Sequence, residues 1–277
     1  MKEQVSFNNI PIESVVTDKF CMDYFKFGRG EKTLVILPGL SVQSVMNFAN
    51  RIAEAYGVFC DDYTVFVLDR RKNLPSEYSV SDMANDTAAA ISKLGLKRIN
   101  LFGTSQGGMI AMEIAVNYPE LMQSLILGST AVRVSKKTFS VIERWINFAK
   151  DKMAYDLLLS FGKTIYPNIV FENLKSNFSE LSKTVTEEDL WRFTVFARGI
   201  RDFDESKNLE KISCPVMVIG DKKDELLGKN ATGEIVKCLK RTDKTEIFDY
   251  DGYGHAVYDI APDYKTRIYN FLRNIAE

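Results

Sequence analysis

The chain has 277 residues, 45% of them apolar and 26% charged, with a formal net charge of −1. That length suits one large α/β domain, or a core domain carrying an insertion, better than two equal domains. The charges are interspersed, which excludes a basic field for nucleic acid or anionic membrane, and there is no acidic tail.

The N-terminus, "MKEQVSFNNIPIESVV", lacks the apolar core of a signal peptide. No run reaches the roughly 18 apolar residues of a membrane span. A cytoplasmic protein without membrane or nucleic-acid partners is expected, as a monomer or homodimer. Cys21, Cys60, Cys214 and Cys238 lie far apart, without CxxC or zinc-like spacing, and read as buried thiols. The one histidine, His255, excludes a multi-histidine metal site.

Taken in chain order, "IESVVT" and "CMDYFKFG" read as two strands joined by a turn. "TLVILPG" is a near-continuous apolar run, as expected of a strand buried on both faces. A helix, "SVMNFANRIAEAYG", follows, and then a second buried strand, "YTVFVLD". "SVSDMANDTAAAISKLG" has a serine start, apolar residues at three- and four-residue spacing and a terminal glycine, so it predicts a helix. "INLFG" is a strand, "GGMIAMEIAVNYP" a helix stopped before Pro119, and "SLILGST" a strand. This alternation implies an α/β fold with a mostly parallel sheet and crossover helices on both faces.

Over residues 131–207 the strands vanish and aromatic residues gather in helix-like segments. A helical cap inserted between two core segments, 1–130 and 208–277, is expected. After "CPVMVIG" the alternation resumes with "GEIVKCLK", "TEIFDY" and an amphipathic helix, "DYKTRIYNFLRNIAE".

"GTSQG", residues 103–107, fits G-x-S-x-G. The pattern alone is common, and a glycine-rich turn that merely packs would also satisfy it. Its setting is narrower: an apolar strand ends at Phe102 and a helix begins near Gln106, as in a nucleophile elbow. The glycines make room where neighbouring backbone comes close to a strained serine. Helix N-terminal N–H groups favour the negative charge that develops there.

Serine needs a base to take its proton. His255, in "DYDGYGHAVYD", follows the last expected strand, and its loop opens at the same carboxyl edge as Ser105. An acid must then hold the imidazole. Asp221, Asp224 and Glu225 compete in "DKKDE". Asp224 is favoured because a few residues of turn let its carboxylate fold back beneath His255; Asp221 is second. Oxyanion donors are expected from the backbone N–H of Gln106 and of Leu40, with Ser41 as the alternative to Leu40.

Together these residues resemble the α/β-hydrolase superfamily, in its form with a helical cap, over nearly the whole chain. "LVILPGL" looks like the oxyanion-loop strand. The run from "LDRRKNLP" through "GTSQGG" to "LILGST" matches the family's strand, helix, elbow and strand. In "CPVMVIGDKKDELL" the family's aspartate falls on Asp224, and "GYGHAVY" looks like its histidine loop. Two departures stand out. Pro38-Gly39 replaces the frequent His-Gly, and "DRRKNLP" replaces an Arg-Gly-x-Gly segment. Arg70 and Arg71 could line the pocket mouth, or form an exposed basic loop or an ion pair with the cap.

The resemblance implies a serine hydrolase of a small to medium carboxylic ester or thioester, with no cofactor and no metal. Trp145, Phe148, Trp191 and Phe196 are candidates for an apolar substrate pocket, although most such aromatics pack a cap's own core. A lyase or C–C hydrolase on the same triad, or a sensor with a vestigial one, stays open, because fold does not choose among them.

Overall fold

The computed structural model describes residues 7–240 and 242–275. Its strands are β1 (Glu13–Val16), β2 (Cys21–Phe27), β3 (Lys32–Leu37), β4 (Tyr63–Arg71), β5 (Ile99–Thr104), β6 (Met122–Gly128), β7 (Val216–Asp221) and β8 (Thr245–Tyr250). They form one sheet in the order β1-β2-β4-β3-β5-β6-β7-β8. β1 and β2 add antiparallel to the β4 edge, and every pairing from β4 onward is parallel. β5 and β7 are buried at every position, which is why they read as largely apolar rather than alternating segments.

The core helices before the insertion are α1 (Ala49–Ala55), α2 (Val80–Lys93) and α3 (Gln106–Asn117). The helix expected over "SVMNFANRIAEAYG" divides. Ser44 accepts from the Met46 N–H and starts a tight 3-10 turn, Val45–Phe48, and α1 follows it. α2 starts at Ser79, whose Oγ accepts from the Asp82 N–H at 3.1 Å while the Asp82 carboxylate accepts from the Ser79 N–H at 2.9 Å. Such a reciprocal cap stabilises the helix by about 1 kcal/mol.

Four helices lie between β6 and β7: α4 (Lys136–Lys150), α5 (Ala154–Ile165), α6 (Asn168–Ser182) and α7 (Glu187–Gly199). The chain enters and leaves this insertion along one short ladder. Arg133 bridges Asp204, Val134 donates to the Phe203 carbonyl at 3.0 Å, and Glu205 donates to the Val132 carbonyl at 2.9 Å. After β7 come α8 (Ala231–Cys238), α9 (Val257–Ile260) and α10 (Tyr264–Asn274). Side chains of α2, α3 and α8 bury one face of the sheet, and those of α1 and α10 bury the other.

The order of strands positions the site. From β3 the chain crosses to β4 on one side, then returns over β3 to β5 on the other. The loops after β3 and β5 therefore leave adjacent strands in opposite directions, which opens a crevice at the carboxyl edge.

One buried pair ties α3 to the exit of the insertion. Glu113 on α3 accepts from Ser81 Oγ at 2.7 Å and from Asn117 Nδ2 at 3.1 Å. Glu205 is buried beside it, with Oε2 lacking a partner. Burial first, and the Glu113 charge second, push the Glu205 carboxyl above its ordinary 4.5. The folded chain thus keeps this proton to higher pH than the unfolded chain. The stability it contributes is complete below 4.5 and is lost as pH rises through the raised value. Glu205→Gln removes the titration. Its Tm is expected to exceed that of the wild type by several degrees at about pH 8 and to match it near pH 4. Thermal unfolding followed by circular dichroism checks this, and an equal difference at both pH values would refute it.

Candidate active site

Ser105 joins β5 to α3 with φ of 52° and ψ of −119°, a strained conformation for a residue bearing a Cβ. The surrounding backbone holds it there. Its N–H donates to the Gly128 carbonyl at 2.9 Å, and its carbonyl accepts from Thr130 Oγ1 at 2.7 Å. The flanking glycines are required by space. A Cβ on Gly103 would lie 2.2 Å from the Gly107 carbonyl oxygen, and one on Gly107 would lie 2.0 Å from that of Leu37. Both distances are below any real contact, so the sharp turn depends on the bare backbone at both places.

The structure brings Ser105, Asp224 and His255, widely separated in the chain, together. His255 Nε2 is 3.0 Å from Ser105 Oγ, and His255 Nδ1 is 2.7 Å from Asp224 Oδ2. His255 and Asp224 are both buried, at 2% and 5% exposure. The other Asp224 oxygen accepts the N–H groups of Leu226 and Leu227, each at 2.9 Å, so the carboxylate is fixed in place.

Asp221 and Glu225 lie away from the imidazole. Asp221 accepts from the N–H groups of Lys223 (2.6 Å), Gly252 (3.3 Å) and Tyr253 (2.8 Å). It therefore clamps the loop that carries His255 and does not touch the imidazole. Glu225 is exposed on the surface. The same loop is also held from the insertion, where the Ile165 carbonyl of α5 accepts from the Ala256 N–H at 2.9 Å.

Leu40 and Gln106 lie on the wall of the cavity over Ser105, and a Cβ on Gly39 would lie 3.1 Å from Ser105 Cβ. Ser41 turns its Oγ to the Gln43 carbonyl at 2.7 Å.

Arg70 corrects one expectation. β4 runs on to Arg71, so Arg70 is a strand residue, buried at 6% exposure, and does not line the cavity mouth. Burial draws its guanidinium pKa down. Its Nη2 donates to the Pro38 carbonyl at 2.6 Å and to Gln106 Oε1 at 3.1 Å, and Gln106 Nε2 donates to the Phe196 carbonyl at 2.8 Å. One guanidinium thus ties the loop after β3 to the residue after Ser105. Arg71 pairs with Asp86 of α2 at 3.3 Å and not with the insertion.

The cavity over Ser105 has a volume of about 20 Å³, room for little more than one water molecule. Of the four aromatic candidates, only Trp145 lines it. Trp191 is 45% exposed. α7 buries Leu190 and every residue from Phe193 to Ala197, while Trp191, near its start, stays at the surface. Phe148 is one turn beyond Trp145 and lines an outer groove instead. Phe196 is buried against Tyr78, with ring centroids 6.3 Å apart, and meets the site through its carbonyl and through the Arg70 guanidinium, 6.0 Å from its ring centre. Residues not singled out in the sequence complete the wall: Thr138, Ile142, Phe161, Ile165 and Tyr258. The spacing of Thr138, Ile142 and Trp145 along one face of α4 was the available signal.

Among the described residues, no group of three His, Cys, Asp or Glu side chains is gathered in a way that could hold a metal ion. No helix among them is long and apolar enough to cross a membrane.

Fold and site geometry together define an α/β hydrolase, and the comparisons with known proteins agree. The family model described as alpha/beta hydrolase fold matches residues 32–168. A relative from Stutzerimonas stutzeri, named carbamate hydrolase RutD, is 35% identical over 73% of this chain and 78% of its own. An alpha/beta hydrolase from a Medee basin deep-sea metagenome library superposes with a TM-score of 0.84 at 18% identity, covering 94% of this chain and 97% of its own. The enol-lactonase of Burkholderia xenovorans superposes with a TM-score of 0.80 at 15% identity, covering 94% and 100%. The chain belongs to the α/β-hydrolase family and is a hydrolase.

Proposed function

We propose that the chain is a serine hydrolase that cleaves a carboxylic ester or thioester with a small apolar acyl group. The observation that carries this is the continuous hydrogen-bonded chain from Asp224 through His255 to Ser105, at 2.7 and 3.0 Å. Names of relatives that denote a carbamate hydrolase and an enol-lactonase are in keeping with a hydrolytic role.

In the mechanism, Ser105 Oγ attacks the acyl carbon as His255 Nε2 takes its proton. Asp224 holds Nδ1–H and stabilises the imidazolium. The Leu40 and Gln106 N–H groups receive the oxyanion. His255 then returns the proton to the departing oxygen or sulfur as the acyl–heteroatom bond breaks. A water, deprotonated by the same imidazole, releases the acid and restores Ser105. The 20 Å³ cavity is walled by Leu40, Met109, Ile142, Trp145 and Phe161, and favours the shortest acyl chains.

A panel of p-nitrophenyl acetate, butyrate and octanoate tests this reading. kcat/KM is expected to fall at each step, with a pre-steady-state burst on acetate. Absence of turnover together with absence of fluorophosphonate labelling at Ser105 would overturn the hydrolase reading.

A further inference from the structure

Beyond Trp145 lies a second space, an open groove of about 1130 Å³ between α4, α5, α6 and the loop after β7. Its charge is unlike that of the chain as a whole, which carries −1. Seven of its lining side chains are cationic and four are carboxylic. α4 contributes Lys137 and Arg144, α5 contributes Lys163, and the loop after β7 contributes Lys222 and Lys229. These five make no ion pair among the described residues. The other two cations are partnered, Lys175 with Glu172 at 3.9 Å and Lys223 with Asp251 at 3.7 Å. Of the groove carboxylates, Asp224 is committed to His255. Glu172 is engaged by Lys175, which leaves Asp156 and Glu225 against five unpaired cations, so cations prevail.

The groove and the Ser105 cavity share a wall. Thr138, Ile142 and Trp145 face the cavity, while Lys137, Val141 and Arg144, on the adjoining stripe of α4, face the groove. Two hydrogen bonds close the wall, Thr138 Oγ1 to the Leu226 carbonyl at 3.0 Å and Trp145 Nε1 to Ser160 Oγ at 3.2 Å. Asp224 itself reaches the groove side. A substrate cannot fit wholly within the inner cavity, and the groove lies immediately outside it.

Resting on the hydrolase reading above, we propose that the substrate's leaving group carries an anionic oxygen group, a carboxylate or a phosphate. That group lies in the cationic groove while the small acyl end reaches Ser105 past Trp145, where the Trp145–Ser160 hydrogen bond gives way to admit it. Unpaired cations gathered along an open groove raise the local concentration of an anion and lose this effect as salt screens them. No bond changes in the groove. The acyl–oxygen bond breaks at Ser105, and the anionic alcohol departs with the proton from His255.

The test compares 4-acetoxybenzoate and 4-acetoxyphenyl phosphate with the neutral methyl 4-acetoxybenzoate. The wild type is expected to favour the anionic esters in kcat/KM by about tenfold at low ionic strength, with the preference shrinking at about 0.5 M salt. The ratio of anionic to neutral kcat/KM is expected to fall by about tenfold in the double variant Lys137→Glu, Lys163→Glu. The carboxylate and phosphate arms show which group is preferred. An equal ratio in wild type and variant would overturn the proposal. A binding measurement keeps its failure separate from failure of the chemistry. Ser105→Ala protein titrated with 4-hydroxybenzoate and with 4-hydroxybenzamide should bind the carboxylate preferentially, and lose that preference in the Lys137→Glu, Lys163→Glu background. Equal binding of the two sinks the groove even if the esters are hydrolysed.

Discussion

Ser105→Ala is expected to lower kcat/KM for p-nitrophenyl acetate by at least about ten-thousand-fold and to abolish fluorophosphonate labelling. The fold should survive. Ser105 Oγ makes no cap to α3, and its hydrogen bond is to His255. The positive φ and the Cβ are common to serine and alanine, so the strain of the turn is unchanged. The backbone bonds to Gly128 and Thr130 do not involve the side chain. A thermal midpoint within a few degrees of the wild type would separate lost chemistry from lost structure. Retained labelling in the variant would move the nucleophile elsewhere.

Asp224→Asn is the second large effect, a fall in kcat of about ten-thousand-fold. The asparagine oxygen can still accept from Leu226 and Leu227, as Asp224 Oδ1 does at 2.9 Å. Its amide group then faces His255 Nδ1 and donates to it. The imidazole is driven to the tautomer with the proton on Nε2, which cannot take a proton from Ser105 3.0 Å away. Asp221→Asn provides the contrast. That residue holds the Gly252 and Tyr253 amides, so its loss should lower thermal stability and activity together. Steady-state kinetics and melting curves on both variants check the assignment. A larger loss of kcat at Asp221 than at Asp224, with stability unchanged, would reverse it.

Much of the fold could be read along the chain because its signals are local. β5 and β7 are buried on both faces, and their largely apolar, non-alternating sequences betray it. α2 begins at Ser79 because a serine followed three residues later by a carboxylate satisfies orphan N–H groups. The length of β4 was not readable, because two arginines at a strand end look like a loop. Arg70 is buried only because the Pro38 carbonyl and the Gln106 amide, both distant in sequence, accept its protons. The aromatic candidates divided for the same reason. Composition marks an aromatic-rich helix, but the face that Trp145 buries and Trp191 exposes depends on how α4 and α7 dock.

The amino-acid sequence by itself determined the α/β class, the glycine-flanked serine between strand and helix, and the single histidine available to serve it. These rest on periodicity, on steric demands within a few residues, and on counting. Only the tertiary structure set Asp224 rather than Asp221 against His255, turned Arg70 inward, and set a small apolar cavity beside a cationic groove. Each of those depends on atoms brought within about 3 Å from segments far apart in the chain, and no local pattern encodes such distances.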